Sequence, residues 1–222
     1  MKLKKMIFLA LMSFLMMIFV ACSDDTFSSA DMSDYDISGD HHFYEVSMYE
    51  ALQLRHRDDF DGIIYFGFPG CPWCRVTVPY MHQVSQEIGV DIFYVSRARE
   101  IREGDWLDWD AEMAWWLYEN GVPNMRWIDE NGDLVDEGDE ANGYRPNINV
   151  PQIVHVRNGA IVDSHRGSVE GHDMVGEGDD RHLPELTDTE IATLIATYYR
   201  IFSAVTRVAP CGLDDDADEG CS

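Results

Sequence analysis

The feature that most constrains this chain is the run Gly62-Ile-Ile-Tyr-Phe-Gly-Phe-Pro-Gly-Cys71-Pro-Trp-Cys74. Ile63 to Phe68 is apolar and rich in Ile, Tyr and Phe, which favours a buried strand over a helix. The run breaks at Phe68-Pro69-Gly70. Beyond it Val76, Val78, Met81, Val84 and Ile88 recur at roughly helical spacing, so Cys71 stands where a helix begins. A helix N-terminus offers unpaired N–H groups and the positive end of the dipole, both of which favour a thiolate at Cys71. Cys74, one turn later, is within reach of a mixed disulfide formed at Cys71. The layout suits thiol–disulfide exchange, and the same Cys-x-x-Cys spacing also serves zinc.

The N-terminus reads as an export segment. Lys2, Lys4 and Lys5 precede Met6–Ala21, an apolar stretch of 16 residues that is short for a spanning helix, so residues 1–21 are expected to be a signal peptide. Phe19-Val20-Ala21-Cys22 resembles a bacterial lipobox, although Phe19 stands where that motif usually carries an aliphatic residue. The resemblance implies lipidation of Cys22 and a domain anchored by lipid to the cell membrane, facing the extracytoplasmic side. Of the five cysteines, those after Cys22 make two pairs, Cys71/Cys74 and Cys211/Cys221, a consistent count for an oxidising compartment. The plain reading of Cys211 and Cys221 is a structural disulfide closing a small loop in an acidic tail (208–222), worth about 2–3 kcal/mol. A redox relay to Cys71/Cys74, a four-cysteine zinc site and Ca²⁺ held by the acidic run between Cys211 and Cys221 are the alternatives, metal being disfavoured because nothing fixes the geometry of consecutive acidic residues.

Charge bounds the partners. With 41 acidic and 16 basic residues the formal charge is −25, which excludes nucleic acid as a partner because its phosphates would be repelled. At 222 residues the chain holds one domain plus tails. Residues 22–42 are acidic and poor in aliphatics and read as a disordered tether. Phe43–Val46 is a candidate strand, followed by a capping box at Ser47 and Glu50, and Val90–Val95 is another strand. Asp105–Asn120 predicts a helix with Trp106, Trp109, Met113, Trp116 and Leu117 on one face, either core packing or a groove for unfolded peptide. Met125–Val135 reads as a hairpin around Asn131-Gly132, and Gln152–His165 as a second around Asn158-Gly159. A capping box at Thr187 and Glu190 opens a last helix with Leu194, Tyr198 and Phe202 on its apolar face. Strands alternating with helices, ending in a hairpin and a helix, indicate an α/β sandwich.

Three stretches together resemble the thioredoxin superfamily, and among its members the lipoprotein-anchored extracytoplasmic proteins. They are Cys71-Pro-Trp-Cys74 at the strand-to-helix junction, Pro79 eight residues past Cys71, and Val150-Pro-Gln-Ile-Val-His-Val-Arg-Asn-Gly159 through Gly167. The last matches the family's cis-proline, strand, turn and later strand glycine. Val122-Pro123 competes for the cis-proline, but its downstream spacing fits less well.

The resemblance implies a thioredoxin-like three-layer sandwich with a central mixed sheet over residues 43–207, carrying an acidic insertion at about 104–146. Cys71 would be the attacking and Cys74 the resolving thiol. Trp73, Val150 and Pro151 would contact the substrate, and Pro72 and Arg75 would tune the site. It also implies no cofactor and no bound metal. The expected partners are cysteine-containing protein or peptide substrates and a membrane or extracytoplasmic redox partner.

Two departures stand out. Gly70 replaces a Trp that thioredoxins place before the first cysteine, and Tyr65 occupies the position of their buried, proton-accepting Asp. The rival reading is a redox-inactive thioredoxin-fold lipoprotein that binds peptide or metal.

Overall fold

The computed structural model describes residues 27–96, 106–123, 125–129, 133–135 and 143–206. In chain order come β1 (Ser28–Ser29), a 3-10 turn (Ser33–Tyr35), β2 (Phe43–Val46), α1 (Met48–Arg55), β3 (Asp61–Gly67) and α2 (Pro72–Ile88). Then follow β4 (Ile92–Ser96), α3 (Trp106–Glu119), β5 (Arg126–Ile128), β6 (Leu134–Val135), β7 (Arg145–Asn147), β8 (Gln152–Arg157), β9 (Ala160–Arg166) and α4 (Asp188–Phe202).

The main sheet has six strands in the order β1-β2-β4-β3-β8-β9. β2, β4 and β3 run parallel, with Tyr65 opposite Tyr94, and β8 and β9 return antiparallel, with Tyr65 opposite Ile153. This mixed sheet is the centre of a thioredoxin-like three-layer sandwich. β3 is apolar from Ile63 to Phe66 because both its faces are covered there, as expected of a strand in a parallel neighbourhood. Ile63 and Tyr65 enter the core beneath α2 and α4, and Ile64 and Phe66 enter the opposite core beneath α1 and α3. All four are fully buried.

Local chemistry sets the element ends. Ser47 and Glu50 form a reciprocal capping box at α1, and Thr187 and Glu190 form another at α4, each satisfying two otherwise orphaned N–H groups. Asn158 and Gly159 both have positive φ, 51° and 78°, as a two-residue hairpin turn between β8 and β9 demands.

Two expectations about domain boundaries change. The tether expected over residues 22–42 is folded from residue 27 onward. β1 pairs antiparallel with β2, and Ala30, Met32, Tyr35 and Ile37 are buried in the core that holds the cysteines. Isolated apolar residues among Ser and Asp give no periodic signal, yet all four are at least nine-tenths buried.

The Trp-rich helix is likewise no insertion. Met113, Ala114 and Leu117 of α3 are fully buried with residues of α1 and the sheet, so α3 is one of the two helices of its layer. The added part is a small sheet, β6-β5-β7, in which Trp127 pairs with Val135 and Pro146. The Asn131-Gly132 turn lies outside the described residues, as do the side chains of Trp106 and Trp109. No described helix is long and apolar enough to cross a membrane. Met6–Ala21, Cys22, Cys211 and Cys221 lie outside the described residues, so the signal, lipidation and tail-disulfide expectations do too.

Candidate active site

The site is built where β3 stops. Its buried strand ends at Gly67, and the turn Phe68-Pro69-Gly70 closes with the Cys71 N–H donating to the Phe68 carbonyl at 3.1 Å. Cys71 is the N-cap of α2, extended at φ −83° and ψ 119°, and its sulfur accepts the Cys74 N–H at 3.4 Å. A thiol in the capping role points its sulfur at the unpaired N–H groups of the first turn, where negative charge is favoured. Pro72 takes the first helical position, which needs no donor. Pro79 sits inside the helix as expected.

A third element arrives from far along the sequence. The Val150–Pro151 peptide is cis, and the Cys71 thiol faces the Val150 carbonyl oxygen at 3.8 Å. Pro151 is thus the cis-proline; the peptide before Pro123 is not cis. Hydrogen bonding in β8 and from the Gly167 N–H to the Pro151 carbonyl at 2.9 Å holds this corner.

The two thiols are unlinked and differ in environment. Cys71 is 5% exposed and Cys74 is fully buried. The pKa of Cys71 is lowered to about 7: hydrogen bonding from the Cys74 thiol contributes most, burial opposes it, and the N–H groups of Cys74 and Trp73 assist. Cys74 is pushed far up, first by burial and then by its bond to Cys71. One sulfur is therefore poised to ionise near neutrality, and the other is held as a thiol.

The remaining expected site residues fall around this pair. Trp73 and Val150 are half-buried against the core containing both cysteines, as is Phe68, and they give the site an apolar surround. Pro72 is exposed. Arg75 is also exposed, and its guanidinium Nη1 donates to the Asp34 carbonyl at 3.2 Å, tying α2 to the N-terminal segment. The groups that lower Cys71 are Cys74 and backbone N–H groups, not Arg75.

Sequence reasoning missed Tyr35 and Tyr94, which are buried with Tyr65 in the cluster of the cysteines. The first comes from the segment read as a tether. The second is one aromatic in an ordinary strand and carries no local signal. A cleft of about 380 Å³ runs beside α2 between Tyr35, Ile37, Arg75 and His82. Among the described residues no group of three or more His, Cys, Asp or Glu is arranged to hold a metal ion.

No protein-family model matches this chain, and neither does any curated protein. Among solved structures, the crystal structure of thioredoxin from Aeropyrum pernix is similar at 22% identity and a TM-score of 0.32, over 56% of this chain and 74% of that one. The fold assignment rests on the sheet order and register above.

Proposed function

We propose that this protein is a thiol–disulfide oxidoreductase acting outside the cytoplasm on protein or peptide disulfides through Cys71 and Cys74. One observation carries the reading: a cysteine with its pKa lowered to about 7 caps a helix beside a buried, high-pKa partner one turn away. Structural cysteines have no need of that asymmetry, and exchange does, because the thiolate is the nucleophile.

The Cys71 thiolate attacks one sulfur of a client disulfide. A Cys71–client bond forms, and the second client sulfur leaves as a thiolate. Cys74 then attacks the Cys71 sulfur, the intramolecular disulfide forms, and the client sulfur departs and is protonated. The client has gained two electrons and two protons, and the pair has lost them. With the pair oxidised, the same steps run in reverse. The direction is set by its potential against that of the compartment, where 30 mV is worth about 1.4 kcal/mol.

Val150 supplies backbone groups for an extended client, and Trp73 apolar contact. A lipid on Cys22 would hold the domain at the membrane, within reach of a redox partner there.

Insulin reduction by dithiothreitol is the test. The protein should accelerate it, Cys71→Ala should abolish the acceleration, and Cys74→Ser should accumulate a client cross-linked to Cys71. Activity indifferent to Cys71→Ala, or none at all, would leave the binding-module reading in its place. For the anchor, Cys22→Ala should move the protein from the membrane fraction to the soluble one.

A further inference from the structure

Four phenol hydroxyls, those of Tyr35, Tyr65, Tyr94 and Tyr198, are buried without a hydrogen bond of full geometry among the described residues, and the first three interact with one another and, through Tyr65, with Cys74. Buried polar atoms are nearly always paired in full, so four such hydroxyls in one core call for an explanation. They share a core with both cysteines. The rings of Tyr65 and Tyr94 are stacked with centroids 5.4 Å apart on neighbouring strands, and Tyr35 closes over them from the N-terminal segment at 3% exposure. The Tyr65 hydroxyl lies above Gly67, in the space a Cβ there would fill, at the end of β3 where the cysteine turn begins.

Exchange has one step that this setting makes difficult. Resolution of the mixed disulfide needs Cys74 as a thiolate, and burial holds it as a thiol. In the family the sequence resembles, a buried carboxylate at the position of Tyr65 accepts that proton. A phenol with its pKa raised well above the usual value by burial cannot be the acceptor, but it can donate. We propose that Tyr65, supported by Tyr94 and by Tyr35 of the N-terminal segment, donates the hydrogen bond that stabilises the Cys74 thiolate during resolution.

The inference rests on the exchange reading above and names the group that makes its second half work. The mutual effects agree in sign: the Tyr65 hydroxyl favours ionisation of Cys74, and Cys74 disfavours ionisation of Tyr65, as expected of a phenol donating to sulfur. Proton and electron balance is simple. The Cys74–Cys71 bond forms, the Cys71–client bond breaks, the Cys74 proton passes to solvent or to the departing client sulfur, and Tyr65 ends as the phenol it began. Tyr65 is a positioning residue whose action passes through Cys74.

The test follows the two halves separately in the reduced full chain. Dithiobis(nitrobenzoate) releases one coloured thiolate when Cys71 attacks and a second when Cys74 resolves the adduct. The Cys71→Ser/Cys74→Ser double variant serves as the blank for the other cysteines. Losing a hydrogen bond to a charged sulfur is worth roughly a tenfold rate, or about 1.4 kcal/mol. Tyr65→Phe should therefore slow the second release about tenfold and leave the first within about twofold. Its pH profile should shift upward by about one unit. Tyr35→Phe should show the same pattern at about threefold, and it carries the test if Tyr65→Phe does not fold. A second release unchanged in rate and pH profile, or equal slowing of both releases, overturns the proposal. A wild-type protein with no second release overturns the exchange reading itself, and the two failures are thus told apart.

Discussion

The Cys71 sulfur is held between opposite partners, the Val150 carbonyl oxygen at 3.8 Å and the Cys74 N–H at 3.4 Å. The carbonyl can accept only from the thiol, whereas the N–H and the neighbouring Cys74 thiol favour the thiolate, and the balance lowers the pKa to about 7. Since the thiolate fraction rises with pH, iodoacetamide modification of Cys71 should follow a curve centred near pH 7. A free cysteine would titrate at about 8.5. Cys74 should stay unmodified throughout. Mass spectrometry of the labelled peptide reads both, and a Cys71 midpoint at the free-thiol value would contradict the account.

Gly67 should not tolerate a side chain. A methyl group there would meet the hydroxyl and ring of Tyr65, and that ring is fully buried against Tyr94 and cannot swing aside. Gly67→Ala should destabilise by about 1–3 kcal/mol, the range for overpacking a filled core. Urea unfolding would show this as a lower midpoint with an unchanged slope.

Asp61 holds the far end of the same strand. Its carboxylate meets His155 Nε2 at 2.6 Å, Arg157 Nε at 2.9 Å and the Thr206 N–H at 2.9 Å, with the side chain 8% exposed. Burial works against its ionisation, but the bonds from His155, Thr206 and Arg157 outweigh that and lower its pKa. The contribution of Asp61 is therefore fully present above the ordinary carboxylate value and is lost as pH falls through the lower folded value. Asp61→Asn should cost about 3 kcal/mol at neutral pH, and the gap to wild type should narrow below about pH 4. A gap constant with pH would mean the ion pairing contributes nothing.

The N-terminal segment belongs to the fold. A chain begun at Phe43 loses Met32, Tyr35 and Ile37, each buried at 8% exposure or less. At about 1.5–3 kcal/mol per large apolar side chain, its thermal midpoint should fall by ten degrees or more, on the basis of roughly 2–4 °C per kcal/mol. A chain begun at residue 27 keeps all three and should melt well above it. Equal midpoints for the two truncations would count against the burial described.

Where an element carries its own local signal, the sequence was readable. Ser47 with Glu50, Thr187 with Glu190 and Asn158-Gly159 specify their caps and turn through contacts within a few residues, and each formed. Cys71, Pro79 and Val150-Pro151 could be read by spacing, although only the fold brings the last of these to the sulfur.

What stayed hidden depends on partners remote in sequence. Tyr35 is buried only by residues remote from it in sequence, and neither Tyr35 nor Tyr94 signals that it will meet Tyr65. The three-residue strand around Pro146 exists only because β5 offers it a ladder. Met113 and Leu117 were rightly placed on one apolar face, but the pattern could not say that α1 and the sheet would cover it.

β1 has a consequence for how a client can bind. The open rim of β2 would otherwise present unpaired backbone groups, the template on which an extended peptide adds as an extra strand or two copies aggregate. The chain occupies that rim itself, with Ser28 and Ser29 laddered to Glu45 and Tyr44 and the Ala30 N–H bonded to the Phe43 carbonyl. A segment of its own acts as the blocking strand, and the edge left to an outside strand on this side is the two exposed residues of β1 in place of the four of β2.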